Sequence, residues 1–465
     1  MGESEGRGKK EEIVNREIKD FFDFTEKELN QHTFDNWDVY LVSEQDRHIS
    51  CRGKQVEDFK ENTETGCAIR VLKDQKISMV YTNNLENESI IQAIDKAKFI
   101  LNYMMPDEYF GINAFSHKYN TTKEKLDLSY FDLSIAEKIK RLISLEEKVF
   151  SQHKTITNVE HLVYAESYNQ LFYKTKFCPI LEDKNVHFGY SGDVIAEDGG
   201  QAEAGSYSDY KNKLADIDLD KLAYNIAHQA YSMLNAKPVQ SGHYPVIFRN
   251  DAMALFFATF VELFSADRVQ NNRSVLAGKM GESIAGECIT MIDDATLPDS
   301  LGSFLFDGEG TPAAKKTLVE KGVLKSYLYD LKAAAKDRTD STGNAVRGSY
   351  QSSPQISPSN FVIGKGPFTY EDLWQKQDQE LIIVSGIMGM HTANTINGDF
   401  SVGASGYRVK NGEIKEAVKQ FTIAGNFLQL LQRVVKIGND VDNFPYHGNI
   451  ITPSLFFSDI SISGL

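Results

Sequence analysis

Histidine is the residue type in this chain best suited to ligating a metal, and ten histidines are spread along it. A zinc site of the HExxH kind needs both imidazoles on one helix face, where they can reach the same ion. That motif does not occur, and His153 and His161 are too far apart and lie in strand-like sequence. A zinc site built from histidines distant in the sequence stays open, although a surface or hydrogen-bonded histidine is the commoner situation.

Acidic residues stand close together at Asp293 and Asp294 and again in the stretch 307–310 (DGEG). Close carboxylates can exchange protons with a substrate or hold a hard cation. Asp and Gly also cluster in tight turns, because both tolerate left-handed backbone and Asp accepts hydrogen bonds from nearby N–H groups. We favour turns at both places.

One carboxylate interrupts a strongly apolar stretch. The segment 252–266 is apolar nearly all round a helix, which is typical of a buried helix, and it contains Glu262. A buried carboxylate must be paired or neutralised. We expect Glu262 to form an ion pair with Arg268 or Lys279 at the helix edge. The alternative is that Glu262 is a displaced catalytic acid. We expect Asp251 to be the N-cap of this helix.

Composition excludes several classes of function. The 465-residue chain has 50 Lys and Arg against 65 Asp and Glu, and the net charge of −15 opposes binding to a phosphate backbone. The most apolar stretch, 252–261, is about half as long as a membrane span. The four cysteines are widely spaced, as is typical of reduced thiols in a cytoplasm. We therefore predict a cytoplasmic protein that binds neither nucleic acid nor membrane.

Hydrophobic periodicity predicts the elements that position these residues. Helices are expected over residues 11–31, 85–104, 132–150, 219–234, 251–267 and 427–434. Strands are expected over 38–43, on both sides of a Lys-Asp-Gln turn within 65–81, through 155–213 with loops at Asn185 and 198–200, and over 244–248. Beyond residue 244, short strands and glycine-rich turns dominate.

The predicted fold class is α+β, with an N-terminal α/β region with long helices and a C-terminal mainly antiparallel β domain. A stretch with Pro and Gly at 235–242 reads as the linker between them. The predicted organisation is a disordered tail over 1–10, the N-terminal region over 11–236 and the C-terminal domain over 237–465.

A series of short motifs runs through the C-terminal half. They are 245–248 (PVIF), 281–282 (GE), 293–294 (DD), 306–312 (FDGEGTP), 321–327 (KGVLKSY), 341–345 (STGNA), 395–406 (TINGDFSVGASG), 411–414 (NGEI) and 424–426 (AGN). In this order they resemble the TldD/PmbA family, whose members are metalloproteases also called modulators of DNA gyrase. The N-terminal half is similar to the family in length and element order.

The resemblance implies a zinc site whose positions are altered here. Catalytic TldD-type members carry HExxxH on the helix after the PVIF-like strand and a Cys near the C-terminus. The motif positions fall on Phe257, Ala258 and Glu262, and residues 437–465 contain no Cys. The resemblance is therefore to the PmbA or TldE branch. It implies no catalytic residue, metal site or cofactor in this chain, with zinc expected in a TldD-type partner.

That branch implies a subunit of a cytosolic peptidase acting on unstructured peptides, inactive alone. The expected partner is a TldD-type catalytic subunit in a heterodimer, with a homodimer in its absence. An extended peptide can add to a sheet edge, and the glycine-rich segment 386–406 suits such an approach. We expect Glu262, His391, Asn394 and Asp399 to lie beside the peptide cavity.

Two other hypotheses stay open. An independent metallopeptidase could use His391 or His447 together with Glu262, which predicts bound zinc and cleavage by the lone chain. A non-enzymatic modulator would bind DNA gyrase directly, which predicts a stable complex with gyrase and no dependence on a TldD-type partner.

Overall fold

The computed structural model describes residues 2–114, 126, 128, 133–377 and 379–465, with side chains from Arg16 onward. Helices packed on an antiparallel sheet form the N-terminal region, and β-sheets dominate the C-terminal region. The predicted α+β class is therefore confirmed. The structure describes a helix over Gly2–Asn30, where a disordered tail was expected over 1–10. The domain boundary at 236/237 stays a prediction.

The N-terminal region is built on one six-stranded sheet. Its strands are β1 (Asn36–Arg52), β2 (Gln55–Lys73), β3 (Lys76–Thr82), β4 (Ile156–Thr175), β5 (Leu181–Asp198) and β6 (Gln201–Lys211). They lie in the order β3-β2-β1-β4-β5-β6, and all neighbours are antiparallel. Asp74 and Gln75, both with positive φ, turn the chain from β2 into β3 where the turn was predicted.

Four helices cover one face of this sheet. They are α1 (Gly2–Asn30), α2 (Asn87–Leu101), α3 (Ile135–Gln152) and α4 (Leu219–Tyr231). The side chains that α2 buries recur at helical spacing, and α3 begins at a capping box in which Ser134 and Glu137 satisfy each other's backbone N–H groups. The opposite face of the sheet meets the C-terminal region around Tyr40, Tyr173 and Phe306.

The C-terminal region has two larger sheets and a two-stranded one. Its strands are β7 (Lys237–Pro238), β8 (Gly242–Phe248), β9 (Met291–Asp294), β10 (Lys315–Glu320), β11 (Val323–Leu324), β12 (Ala345–Val346), β13 (Gln355–Ile356), β14 (Asn360–Ile363), β15 (Leu381–Met388), β16 (Asp399–Lys410), β17 (Glu413–Asn426), β18 (Val434–Ile437), β19 (Asp442–Phe444), β20 (Asn449–Thr452) and β21 (Leu455–Ser463). The orders are β18-β21-β8-β15-β16-β17-β7, β11-β10-β9-β14-β20-β19 and β12-β13. Parallel pairs join β14 to β20, β15 to β8 and β17 to β7, while the other pairs described are antiparallel, as predicted.

One helix is surrounded by the core of this region. The C-terminal helices are α5 (Asn250–Phe260), α6 (Ala266–Gln270), α7 (Leu331–Asp337) and α8 (Phe427–Gln432). Side chains of α5 pack against residues of both larger sheets, so the predicted burial of this segment is confirmed. Burying this much apolar surface is the main stabilising contribution of the region.

Several local predictions were wrong. The predicted N-cap Asp251 lies within the first turn of α5, which begins at Asn250 after Arg249. The helix expected over 251–267 ends at Phe260, because a 3-10 turn follows and the N–H of Ala266 donates to the carbonyl of Leu328 instead of continuing the helix. The loop expected at Asn185 is strand, because Asn185 pairs with Asn169 in the middle of β5 and β4. Among the described residues, no helix is both long and apolar enough to cross a membrane.

Candidate functional site

Phe257 and Ala258, which the resemblance predicts at the first two positions of the zinc motif, lie on α5. Phe257 is 1% exposed, and its ring centroid lies 5.8 Å from that of Phe361 and 6.0 Å from that of Phe427. Ala258 is buried as well. Neither side chain has an atom that can ligate zinc, and both belong to the C-terminal core.

The third position, Glu262, lies in the 3-10 turn Val261–Phe264 that follows α5. Its carboxylate accepts a hydrogen bond from the Arg268 guanidinium, and its side chain is 35% exposed. The predicted partner Arg268 is therefore confirmed, whereas Lys279 pairs with Glu282 at 3.4 Å. A partly exposed ion pair of this kind contributes at most about 1 kcal/mol.

The other predicted cavity residues lie at the end of β15 and the start of β16. His391 is exposed in the short 3-10 turn Met390–Thr392. Asn394 accepts a hydrogen bond from the N–H of Ile396 at 2.9 Å. Asp399 accepts from the Asn426 amide at 2.9 Å. Asn394 and Asp399 therefore shape the loop 389–398, and His391 is left facing solvent.

The Glu262 turn and this loop flank the same stretch of chain. The Ser274 hydroxyl donates to the carbonyl of Leu263 at 2.6 Å, and the N–H of Val275 donates to the carbonyl of Ile396 at 2.8 Å. Within the described residues, however, no hydrogen bond or ion pair joins Glu262 to His391, Asn394 or Asp399. The fold brings the two segments to one side of the C-terminal region without joining these side chains.

The donor atoms near the altered motif do not fit a zinc ion. An open zinc site needs three protein ligands, and of the three motif positions only Glu262 has donor atoms, which Arg268 engages. No group of three or more His, Cys, Asp or Glu side chains suited to a metal occurs in the described part of the chain. His447, the other histidine considered, is exposed in the segment between β19 and β20.

The two acidic pairs have different surroundings. The stretch 307–310 is a turn as predicted, closed by the N–H of Gly310 donating to the carbonyl of Asp307 at 2.9 Å. The turn predicted at Asp293 is wrong, because this residue lies on β9. Its buried carboxylate accepts from Ser359 N–H at 2.7 Å and pairs with Lys316 at 2.8 Å. A strand carboxylate is stable there because these donors satisfy it.

The turn 307–310 also contributes to a cluster of buried charged side chains. No sequence motif predicted this cluster. Arg70 on β2 donates to Glu309 at 3.0 Å and pairs with Asp38 on β1. The Tyr173 hydroxyl donates to the same aspartate at 3.0 Å. The Arg347 guanidinium donates through Nε to the carbonyl of Gly308 at 3.0 Å. We call Asp38, Arg70, Glu309 and Arg347 the docking network, because they join the N-terminal sheet to the C-terminal region.

A cavity of about 440 Å³ lies elsewhere between the two regions. One side is formed by β5, β6 and α4, and the other by the start of α5, the end of β15 and the segment 443–446. The polar side chains that line it include Asp193, Tyr207, Gln229, Asp251, Ser385 and Tyr446. We call it the Tyr207 cavity. Its residues come from six separate segments, so no local pattern could have predicted it, and none of the four predicted cavity residues lines it.

Three sequence models of one family match successive parts of the chain. The PmbA/TldA metallopeptidase domain 1 matches residues 37–101, the central domain matches 129–234 and the C-terminal domain matches 241–464. The match therefore extends over most of the chain and includes all three family domains.

Individual relatives agree with this match. The metalloprotease PmbA homolog of Buchnera aphidicola is 26% identical over 435 residues, which cover 90% of this chain and 90% of the relative. The structure of TldE from Thermococcus kodakarensis is 25% identical with a TM-score of 0.87, covering 96% of this chain and 100% of that one. A Thermotoga maritima structure named as a modulator of a DNA gyrase is 26% identical, with the same TM-score and coverage. The chain therefore belongs to the PmbA/TldD metallopeptidase family.

Proposed function

We propose that this chain is a PmbA/TldE-like subunit of a TldD/TldE-type metalloprotease complex, without an HExxxH zinc site of its own. The proposal rests on the surroundings of the three residues predicted at the motif positions. Phe257 and Ala258 are packed into the core, and Glu262 forms an ion pair with Arg268. The zinc and the water it activates would then belong to a TldD-type partner.

In this role the chain shapes the surface along which an unstructured peptide lies. Support comes from the edge of β15. Strand β8 pairs with β15 only at Ile382–Val384, because the chain continues from β8 into α5 beyond that point. The end of β15 continues into the loop 389–398, where His391 is exposed. An extended peptide could hydrogen-bond to such an edge through its own backbone, which gives affinity with little sequence preference.

Metal analysis of the purified, untagged chain tests the proposal. We expect well under about 0.1 zinc per chain and no peptide cleavage, since an open zinc site needs three protein ligands. Mixing with a TldD-type subunit that retains HExxxH should give chelator-sensitive cleavage of an unstructured peptide.

Other outcomes would support the alternatives. Close to one zinc per chain, with cleavage by the chain alone, would favour an independent metallopeptidase using Glu262 with His391 or His447. A stable complex with DNA gyrase that needs no TldD-type subunit would favour the modulator. Either result would contradict the proposed role.

A further inference from the structure

The Tyr207 cavity has a polar lining whose hydrogen-bonding groups are largely unused within the chain. Ser385 is only 9% exposed, and its hydroxyl forms no hydrogen bond to any residue that the structure describes. The side chains of Asp193, Tyr207 and Gln229 likewise have no hydrogen-bond partner in the described ranges. Because Ser385 lines the cavity, its unused hydroxyl can pair with a group that enters from outside the chain.

The charge of this lining is negative. Asp193 and Asp251 are its charged residues, and it includes no Lys, Arg or His among the described residues. Asp251 is neutralised by Arg249, whose Nε donates at 2.8 Å, so the exposed carboxylate of Asp193 supplies the unpaired charge. Burial, and after it the charges of Asp442 and Asp209, raises the pKa of Tyr207, so its phenol stays neutral.

The size and the ring content of the cavity narrow the choice of ligand. A volume of about 440 Å³ lies within the range of small-molecule sites. Tyr207 and Tyr446 both line it. Aromatic faces attract cations and also pack against aliphatic carbon. A slender alkyl chain that ends in a positive charge therefore matches both the charge and the surface of this cavity.

We propose that the Tyr207 cavity binds an alkylammonium group. Asp193 is the counter-ion, the Ser385 hydroxyl accepts an ammonium N–H, and the rings of Tyr207 and Tyr446 lie along the alkyl chain. A lysine side chain of a peptide and a free polyamine both carry this chemistry. The inference does not depend on the role in a protease, because it is argued from the lining of the cavity, which includes none of Phe257, Ala258 and Glu262.

Titration of this chain with small cations, monitored by ligand-observed NMR and by calorimetry, tests whether the cavity binds an alkylammonium group. The probes are N-acetyl-lysine methylamide, its neutral norleucine counterpart and spermidine. We expect saturable binding of at least one cationic probe and about tenfold weaker binding of the norleucine compound, the scale of a hydrogen bond to a charged group. Tighter binding of the lysine compound would indicate that the cavity takes peptide side chains. Tighter binding of spermidine would indicate free polyamines. Either result supports the site.

Variants separate local recognition from overall charge. Asp193→Asn should weaken cation binding about tenfold, and Ser385→Ala should weaken it as well. Neither should lower the unfolding midpoint, because neither side chain hydrogen-bonds within the described chain. Asp198→Asn removes the same charge from the same hairpin, outside the cavity, and should leave binding unchanged.

Three results would overturn the inference. The first is equal binding of the lysine and norleucine compounds. The second is a loss with Asp198→Asn as large as that with Asp193→Asn. The third is the absence of saturable binding of either cation up to about 10 mM, about ten times the concentration that half-fills a millimolar site.

Discussion

Phe257, which the family resemblance predicts at a zinc-ligand position, is a core residue of the C-terminal region. Its ring packs between those of Phe361 and Phe427, with almost no exposed surface. A histidine at this place would bring two ring nitrogens into an apolar environment, where an unpaired polar group is costly. Packing is therefore sufficient to account for the aromatic side chain at this position.

Phe257→His should lower the free energy of unfolding by about 2–4 kcal/mol, because it loses apolar contacts and buries unpaired nitrogens. Thermal unfolding with and without added zinc measures this. Phe99→His, at a side chain that is 59% exposed, is the matched control and should change little. A rise of the variant's unfolding midpoint when zinc is added would contradict the conclusion that the donor atoms around this position do not fit a zinc ion.

Asp307 is a carboxyl whose ionisation is opposed by its surroundings. Burial, and after it the charge of Glu309, raises its pKa from 3.8 to about 7. Between these two values the folded chain binds more protons than the unfolded chain. The contribution of this residue to stability therefore falls as the pH rises from about 4 to about 7.

Asp307→Asn cannot ionise, so its stability should decline less than that of the wild type between about pH 5 and about pH 8. The measurement is the change in unfolding midpoint between these two pH values for each protein. The change with pH is compared between the two proteins, rather than stability at one pH. The reason is that the asparagine side chain has no acceptor for the N–H of Ala345, which lowers stability at both pH values. Identical changes would mean that Asp307 is ionised throughout.

At the scale of elements, the turn 307–310 holds the N-terminal sheet through its shape as well as its charges. Gly310 has a φ of +74°, and a Cβ there would lie 2.3 Å from Cε1 of Tyr173 on β4. Glycine is therefore needed twice, for the left-handed backbone and for the close approach of the ring. Its neighbour Glu309 also accepts from the N–H of Leu331 at the start of α7, at 3.0 Å.

Gly310→Ala should destabilise the protein by more than the roughly 1 kcal/mol of left-handed strain, because the methyl group must displace Tyr173. Gly53→Ala is a matched control, since Gly53 has a φ of +57° and open space around its Cβ position. Thermal unfolding of both variants isolates the effect of the ring contact. Equal losses in the two variants would show that strain alone matters.

Sequence periodicity predicted most elements well. The helical pattern of α2 and the alternation on both sides of the Lys-Asp-Gln turn depend on local burial, which the sequence records directly. The end of α5 at Phe260 could not be predicted, because the bond that replaces the next helical one is to Leu328, far along the chain. The strand expected over 244–248 is confirmed as β8, but its parallel pairing with β15 could not be predicted, because β15 is distant in sequence.

At the scale of the whole molecule, the docking network joins residues that are far apart in the chain. Arg70 and Glu309 are separated by 239 positions, and both are buried. Removing one partner from a buried charge pair leaves the other uncompensated. The orientation of the N-terminal sheet against the C-terminal region therefore depends on a complete network.

Arg70→Met should destabilise the protein by about 3–5 kcal/mol, since Glu309 would lose its cation and Asp38 would keep only Arg347, which lies 3.7 Å away. Limited proteolysis and hydrogen exchange should show the two regions separating before either unfolds. Arg52→Met on the same sheet, where the side chain is 47% exposed, is the control and should have little effect. Unchanged exchange at the contact between the two regions would contradict a docking role.

The sequence by itself determined the α+β class, most helices and strands, the burial of α5 and the family, because local periodicity and short ordered motifs are written along the chain. Only the tertiary structure decided that Glu262 pairs with Arg268 rather than Lys279, that Asp293 is a satisfied strand carboxylate, and that six separate segments enclose the Tyr207 cavity. The physical reason is that partner choice and enclosed volume depend on distances between segments. Those distances exist only once the chain has closed its long-range contacts.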